Sequence, residues 1–212
     1  MTPEKQFLTL CMRFKSTPAP SADRRPSLVI NLARATQVDE LLPAAFYDLS
    51  RSSPSECAKG YTCPLTGKNH QLSDADLFNL LRGKEHGSRF LSTFIVNELE
   101  GREPSASCLY RSEPDPARRR ICQAALEVIT FEILREVNGS IRSNVRTSDP
   151  LFMILETEMM LTRDQAAGGK LSPGLRPCEF CRTELAVVVD AAREELWQRL
   201  PLWFGIDLQV WA

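Results

Sequence analysis

The sequence predicts an all-α protein, an irregular bundle of about six to eight helices. Several segments repeat apolar residues at spacings of three and four, as one face of a helix does. Serine, aspartate and proline stand at the starts of several of these segments, and we find no long alternation typical of a strand. We expect residues 1–26 to form an N-terminal stub and linker, and residues 27–212 to form a single helical domain.

The first predicted helices follow a linker. Residues 16–27 contain three prolines, a composition typical of a connector. The apolar spacing then predicts a short helix over Leu28–Arg34 and a second over Gln37–Ser50. Pro43 fits the second helix only if that helix effectively begins near it, because proline is tolerated in a first turn.

Glycines divide the next predicted helix. Residues 51–72 are rich in serine, proline and glycine and predict a loop. Ser73 is a good helix cap, with acidic residues in the turn that follows it. We expect this helix to break or bend at Gly83 and Gly87 and to end at Gly101.

Two further helices begin with aspartate followed by proline, at positions 115–116 and 149–150. After a loop over 101–114, the first helix runs to Val137 and is thickly apolar, which places it in the core. The second is expected over Leu151–Gln165, followed by a flexible connector to the next helix.

The last helix has the cleanest period in the chain, and Pro201 is expected to end it. Its apolar positions fall on one face: Leu185, Val188, Val189, Ala192, Leu196 and Leu200. An aromatic tail of Trp203, Phe204 and Trp211 follows. We expect these rings, together with Trp197, to be core and tail-docking residues; the alternative is an exposed patch that binds a partner.

Charge and composition restrict the class of partner. The chain of 212 residues has 26 basic and 27 acidic residues, a net charge of −1. Such a balance argues against nucleic acid or an anionic membrane as the partner, because both favour a basic surplus. There is no run of 18 apolar residues for a membrane span, and the apolar stretch near the start is too short for a signal peptide. We therefore expect an intracellular protein, cytoplasmic or nuclear.

Cysteine is the residue type with the most chemical content here. Seven cysteines, an odd number, favour free thiols or metal ligands in a reducing compartment. Cys178 and Cys181 form a C-x-x-C pair at the start of a helix, and this spacing lets two thiolates reach one zinc ion. Cys108 and Cys122 are the best candidates to complete a structural zinc site, although their separation is not that of a standard knuckle. The alternative is that Cys122 is a buried core thiol and the C-x-x-C pair is incidental.

Other cysteine chemistry has less support. Cys57, Cys63 and His70 form a loose C-x5-C-x6-H pattern, for which a plain surface loop is the favoured interpretation. A redox C-x-x-C expects a preceding strand, and a cysteine nucleophile needs a histidine partner. The two histidines, His70 and His86, lie in no recognisable motif. A thiol- or metal-dependent enzyme using the C-x-x-C cysteines is therefore the second hypothesis.

Several short segments, in this order, resemble one known family. They are Leu28–Ala33, Leu41–Tyr47, Leu80–Glu85, Arg102–Ser105 ahead of Cys108, Asp149–Leu151, the Cys178–Cys181 pair, Ala192–Trp197, Leu200-Pro201 and Phe204-Gly205. Taken together they are similar to the helical region that follows the BTB (POZ) domain in a large set of proteins from mushroom-forming fungi. The similarity covers roughly residues 27 to 206.

The resemblance implies a non-enzymatic protein-interaction or scaffold region with a protein partner that it does not identify. It also implies that Cys108, Cys122, Cys178 and Cys181 recur as a group, and it supplies no catalytic residue. We expect the BTB domain itself, a mixed α/β dimerisation module, to be missing. Its dimerisation and its recruitment of ubiquitin-ligase scaffolds are therefore not carried over to this chain.

Overall fold

The computed structural model describes residues 25–137, 149–156, 160, 176–208 and 211. This part of the chain contains eight α-helices and one short hairpin, which confirms the all-α fold class. The helices are α1 (Pro26–Thr36), α2 (Leu42–Ser50), α3 (Pro54–Lys59), α4 (Asp74–Phe94), α5 (Pro116–Arg119), α6 (Ile121–Val137), α7 (Pro150–Glu156) and α8 (Glu179–Phe204). A 3-10 turn (Asp39–Leu41) precedes α2, and a π-helical turn (Ile95–Leu99) continues α4. None of the described helices is both long and apolar enough to cross a membrane.

The described residues belong to two compact units. The first unit comprises those within Met1–Arg89 and Glu195–Ala212, and the second comprises those within Phe90–Ile141 and Asp149–Glu194. The expectation of a single domain over residues 27–212 stays a prediction. The predicted stub and linker, up to residue 24, lie outside the described residues, as do the predicted helical residues 161–165 and most of the connector after them.

The helix that begins after Ser73 starts as predicted but does not break. The Ser73 hydroxyl accepts a hydrogen bond from the amide of Asp76 at 3.1 Å, and α4 then runs unbroken from Asp74 to Phe94. The predicted break at Gly83 and Gly87 is wrong, because both glycines lie inside this helix, and the alternative of a bend stays a prediction. Gly83 serves packing. A Cβ atom added there would overlap the ring of Phe204, so glycine lets the two elements approach closely.

The first unit has an aromatic and aliphatic core around this close approach. The rings of Phe46 and Phe204 stack with centroids 5.3 Å apart, and both side chains are buried. Ile30, Leu80 and Leu200 are also fully buried. Each such side chain contributes about 1.5–3 kcal/mol on burial, so ordinary packing stabilises this unit.

Residues 51–72 contain structure that the predicted loop lacked. Helix α3 begins with a capping box, in which the Ser53 hydroxyl accepts from the Glu56 amide and the Glu56 carboxylate accepts from the Ser53 amide. The serine, the proline that follows it and the glutamate three residues after the serine are a recognisable sequence signal for the start of a helix. The strands β1 (Tyr61–Thr62) and β2 (Asn69–His70) then pair as an antiparallel hairpin.

Helix α8 also departs from its prediction, because it passes through Pro201 and ends at Phe204. Proline has no N–H to donate to the carbonyl four residues earlier, that of Trp197. The indole Nε1 of Trp211 donates to that carbonyl instead, at 2.8 Å, and the Trp197 and Trp211 rings stack 5.1 Å apart. Trp203 and Phe204 are buried, so the core and tail-docking interpretation of the aromatic tail is confirmed.

The second unit contains α5, α6, α7 and most of α8. Asp115 caps α5 through the Ala117 amide at 2.9 Å, and Asp149 caps α7 through the Leu151 amide at 3.0 Å, as predicted. The predicted helix after Asp115 is instead two helices, with a turn at Arg120 between α5 and α6. Its buried apolar residues include Phe94, Ile95, Leu99, Ala125, Leu126, Ile129, Ile133, Leu151, Ile154, Leu185, Val189 and Ala192.

Candidate metal centre

Four cysteines from three separate segments of the second unit lie together. The Sγ atoms of Cys108, Cys122, Cys178 and Cys181 are all within 4.8 Å of one another. All four side chains are buried, and the half-buried ring of Tyr110 packs against them. The sequence predicts that the C-x-x-C pair groups with Cys108 and Cys122, and these four residues form a single cluster, which could hold a metal ion.

Each cysteine is positioned by a simple local feature. Cys108 lies in the loop before α5, between two turns in which its amide donates to Ser105 and its carbonyl accepts from Arg111. Cys122 is the second residue of α6. Cys178 directly precedes α8, where its carbonyl accepts from the Arg182 amide at 3.0 Å, and Cys181 lies in the first turn of that helix.

Backbone amides hold the sulfur atoms in place. The amide of Cys178 donates to the Sγ of Cys122 at 3.1 Å, and the amide of Ser105 donates to the Sγ of Cys181 at 3.4 Å. The amides of Leu109 and Cys181 donate to the sulfur of Cys178. Such donors stabilise thiolates more than thiols, because a negative acceptor strengthens a hydrogen bond. The backbone around the cluster is therefore arranged for negatively charged sulfur.

The separations fit one ion. A tetrahedral zinc ion with Zn–S bonds of about 2.3 Å requires its sulfur atoms to be about 3.8 Å apart. The Sγ atoms of Cys108 and Cys178 are 3.9 Å apart, and no pair in the cluster exceeds 4.8 Å. An iron–sulfur cluster would need wider spacing, because its cysteines bind different iron atoms. The arrangement therefore favours a single ion with four sulfur ligands.

Burial opposes a free thiolate at Cys122 and Cys181, whereas hydrogen bonds favour one at Cys178. Burial raises the pKa of Cys122, and it raises the pKa of Cys181 to about 12. Burial alone would also raise the pKa of Cys178, but hydrogen bonds to its sulfur from the backbone amides of Cys181 and Leu109 and from neighbouring thiols lower that pKa to about 7. The N-termini of α6 and α8 also favour negative charge here. A bound cation would offset the free-energy cost of burying the other three sulfurs as thiolates.

An ion pair connects two segments near the cluster. Arg102, which follows the π-helical turn, donates to the carbonyl of Glu98 at 3.1 Å and lies 3.4 Å from the carboxylate of Glu184 on α8. The loop that carries Ser105 and Cys108 follows directly. This contact helps to hold the loop beside α8.

The remaining candidates lie in the first unit and are separate from this cluster. Cys57 is buried on α3, where its Sγ lies 3.5 Å from the carbonyl of Leu49, so it is a core thiol and not part of a surface loop. Cys63 lies in the turn of the hairpin and His70 on β2, stacked on Tyr61. His86 lies on α4 and stacks on the Trp203 ring. Both histidines of the chain thus belong to a different unit from the four clustered cysteines.

Two features of the site were missed from the sequence. The amide donors of Ser105 and Leu109 carry no side-chain signal, because any residue other than proline could supply them. The turn at Arg120, which makes Cys122 part of a helix N-terminus, was also missed. A short helix that begins at a capped proline gives no sequence signal for where it ends.

Comparison with known proteins adds no relative: no family model, no curated protein and no solved structure matches the chain. The resemblance to the region after a BTB domain therefore stays a prediction.

Proposed function

We propose that this protein is a non-enzymatic, intracellular protein-interaction or scaffold domain whose second unit is cross-linked by one structural zinc ion. The observation that carries the zinc assignment is the closeness of four buried sulfur atoms, all within 4.8 Å of one another. Cys108, Cys122, Cys178 and Cys181 are the ligands.

The donor set selects the type of metal. Thiolates are soft ligands that favour zinc, copper(I) and iron over magnesium, calcium and manganese. Four thiolates in a tetrahedron are a common structural zinc site, and zinc has no redox chemistry of its own. A reducing compartment, cytoplasmic or nuclear, would keep these four thiols free for the metal.

A structural role is favoured over a catalytic one because four sulfur ligands would fill every coordination position of a tetrahedral site. Catalytic zinc sites have three protein ligands and one open position for water or substrate. Here four sulfurs surround the site, and the most exposed of their residues, Cys108, is 7 % exposed. The ion would tie the loop of Cys108 to the starts of α6 and α8, so that ligation free energy would add to folding.

The interaction role rests on the resemblance to the helical region that follows a BTB domain in fungal proteins. A closed metal site, which orders loops without offering a reactive position, is compatible with that role. The partner would be another protein. Because the whole chain has a net charge of −1 and no basic surplus, nucleic acid is not the favoured partner.

Cobalt substitution tests the coordination directly. We expect the protein reconstituted with Co²⁺ to show the intense visible bands of tetrahedral cobalt and a thiolate-to-cobalt charge-transfer band. Titration to an end point of one ion per chain is the expected stoichiometry. Weak bands typical of octahedral cobalt would contradict a site of four sulfurs.

One observation favours the second hypothesis, a thiol-dependent or metal-dependent enzyme. Hydrogen bonds to the Cys178 sulfur lower its pKa to about 7 despite burial, and a nucleophilic cysteine also needs such a pKa. Alkylation of the native zinc-loaded protein with iodoacetamide separates the two. A structural site protects all four cysteines equally, whereas an enzyme of this kind would show rapid, selective alkylation of Cys178.

A further inference from the structure

We propose that the four-cysteine cluster is also a redox modification site, at which a peroxide joins Cys108 and Cys178 in a disulfide and thereby releases the metal. This inference rests on the zinc centre proposed above and adds a regulation to it.

The two sulfur atoms are already close. The Sγ atoms of Cys108 and Cys178 lie 3.9 Å apart, and a disulfide brings two sulfurs to about 2.05 Å. Both residues are outside helices: Cys108 lies in the loop before α5, and Cys178 directly precedes α8. Cys122 and Cys181 lie within α6 and α8, where helical hydrogen bonds fix the backbone. Bond formation between Cys108 and Cys178 therefore asks for movement only of non-helical backbone.

Exposure selects the same pair. Cys108 and Cys178 are 7 % and 6 % exposed, whereas Cys122 and Cys181 are 0 % and 2 % exposed. A peroxide is small, and its first contact with the cluster is expected at the two residues with the larger exposed fraction. Geometry and access thus point to one pair out of the six that four cysteines allow.

The chemistry balances with hydrogen peroxide as the oxidant. The thiolate of one cysteine attacks a peroxide oxygen, so that the O–O bond breaks and a sulfenic acid and hydroxide form. The thiolate of the second cysteine attacks the sulfenic sulfur, forming the S–S bond and expelling a second hydroxide. Two protons from solvent convert both hydroxides to water. Two thiolates are oxidised by two electrons in total, the peroxide is reduced, and only two ligand thiolates remain for the ion.

The product would keep the segments joined. Cys108 and Cys178 are 70 residues apart in sequence, so their disulfide replaces the metal as a cross-link between the same loop and the same helix start. A disulfide between Cys178 and Cys181 would close only a single helical turn and would leave the Cys108 loop untied. The Cys108–Cys178 bond therefore keeps the Cys108 loop tied to the start of α8 after the metal is released.

Peptide mapping of the unsubstituted, zinc-loaded full chain tests the proposal. The protein is titrated with hydrogen peroxide, free zinc is followed with a chromophoric chelator, and remaining thiols are blocked with N-ethylmaleimide. Digestion must combine trypsin with a glutamate-specific protease, because cleavage after Glu179 separates Cys178 from Cys181. We expect one zinc ion released for each Cys108–Cys178 disulfide, and recovery of zinc binding after dithiothreitol and added zinc.

Cys63 provides the internal reference for oxidant dose. It lies outside the cluster and is partly exposed, and hydrogen bonds from the Thr66 hydroxyl and backbone lower its pKa. The Cys63→Ser variant is expected to release zinc at the same peroxide dose as the unsubstituted chain. Retention of zinc at doses that oxidise Cys63 would overturn the redox proposal alone, and so would a Cys178–Cys181 disulfide or sulfinic acid as the main product. Absence of zinc before oxidation would overturn the zinc centre and, with it, this inference.

Discussion

The two units of this chain differ in the chemical groups that they bury. In the first unit, stacked Phe46 and Phe204 and a glycine on α4 produce a close-packed hydrocarbon core. The second unit also has apolar residues, but it buries a cluster of four thiols. Thiols pack as small apolar groups and make weak hydrogen bonds, so the cluster alone contributes little. The comparison leads to the expectation that packing alone stabilises the first unit, whereas the proposed ion adds to the packing of the second.

The expected magnitudes separate the units further. Each large side chain in the first core contributes about 1.5–3 kcal/mol, and the loss of one is tolerable. A structural zinc ion contributes about 10–16 kcal/mol in small zinc-binding peptides at neutral pH. Loss of the ion is therefore the largest single perturbation that we expect in either unit.

The replacement of one ligand is the strongest way to break the comparison. Cys122→Ser should abolish stoichiometric zinc binding, because three thiolates leave one coordination position open. The second unit should then lose several of the about 10 kcal/mol that zinc ligation contributes to its stability. Helicity measured by circular dichroism should fall, whereas tryptophan emission should not shift. All three tryptophans belong to the first unit, so their emission reports on that unit.

Cys63→Ser is the matched control, since it removes a thiol outside the cluster. It should leave zinc content, helicity and emission unchanged. A red shift of tryptophan emission in Cys122→Ser would show that the first unit also depends on the site. Full zinc content in Cys122→Ser would remove Cys122 from the ligand set.

Acid should release the ion steeply. Burial raises the pKa of Cys122 and of Cys181, so in the metal-free protein both thiols carry protons at neutral pH and must lose them to bind zinc. The metal-free state therefore binds more protons, and zinc affinity must fall as pH falls. These two thiols alone give a fall of about a hundredfold per pH unit.

Cys178 sharpens this expectation, because its pKa is about 7. Below that pH the Cys178 thiol carries a third proton that zinc must displace, and above that pH it carries none. Competition with a chromophoric chelator between pH 6 and pH 8 would measure the slope, with Cys63→Ser as the control. An affinity independent of pH would contradict thiolate ligation.

Two glycines on α4 test the packing of the first unit. In Gly83→Ala the new methyl group would overlap the Phe204 ring, and overpacking of this kind typically costs about 1–3 kcal/mol. In Gly87→Ala the nearest atom, on Trp203, lies 4.0 Å away, so the methyl group is accommodated and the helix gains about 0.5–1 kcal/mol. Urea unfolding followed by tryptophan emission would measure both. Equal effects of the two substitutions would contradict the close approach at Gly83.

The smallest effect concerns the end of α8. Trp211→Phe keeps an aromatic ring for the stack on Trp197 but removes the indole donor to the Trp197 carbonyl. That hydrogen bond should be worth about 1 kcal/mol, because proline leaves the carbonyl without a helical donor. Trp211→Ala removes ring and donor together and should lower the unfolding midpoint further. Equal midpoints for the two variants would assign the whole effect to the hydrogen bond and none to the stack.

The sequence was most informative where structure depends on near neighbours. Ser73, Asp115 and Asp149 each cap a helix, because a cap needs only its own side chain and an amide two or three residues on. The four cysteines could be grouped because zinc chemistry asks for four thiolates and the C-x-x-C pair supplied two. No spacing rule could have shown how closely Cys108 and Cys122 approach that pair.

The wrong predictions share a different cause, which is compensation by distant residues. Proline at 201 should end a helix by the local rule, but Trp211 supplies the missing donor from outside the helix. Glycine at 83 weakens a helix by itself, but the Phe204 ring fills the space that a side chain would need. Both compensations depend on tertiary contacts that the local pattern does not contain.

Zinc per chain, measured by elemental analysis together with helicity and tryptophan emission, tests the central claim most directly. The protein should be purified without a chelator or a metal-binding tag. We predict one zinc ion per chain, and a loss of helicity without a shift in tryptophan emission when the ion is chelated. A chain that holds no zinc and keeps its full helicity, with Cys108, Cys122, Cys178 and Cys181 unreactive until denaturation, would contradict the account. The four thiols would then be ordinary core residues.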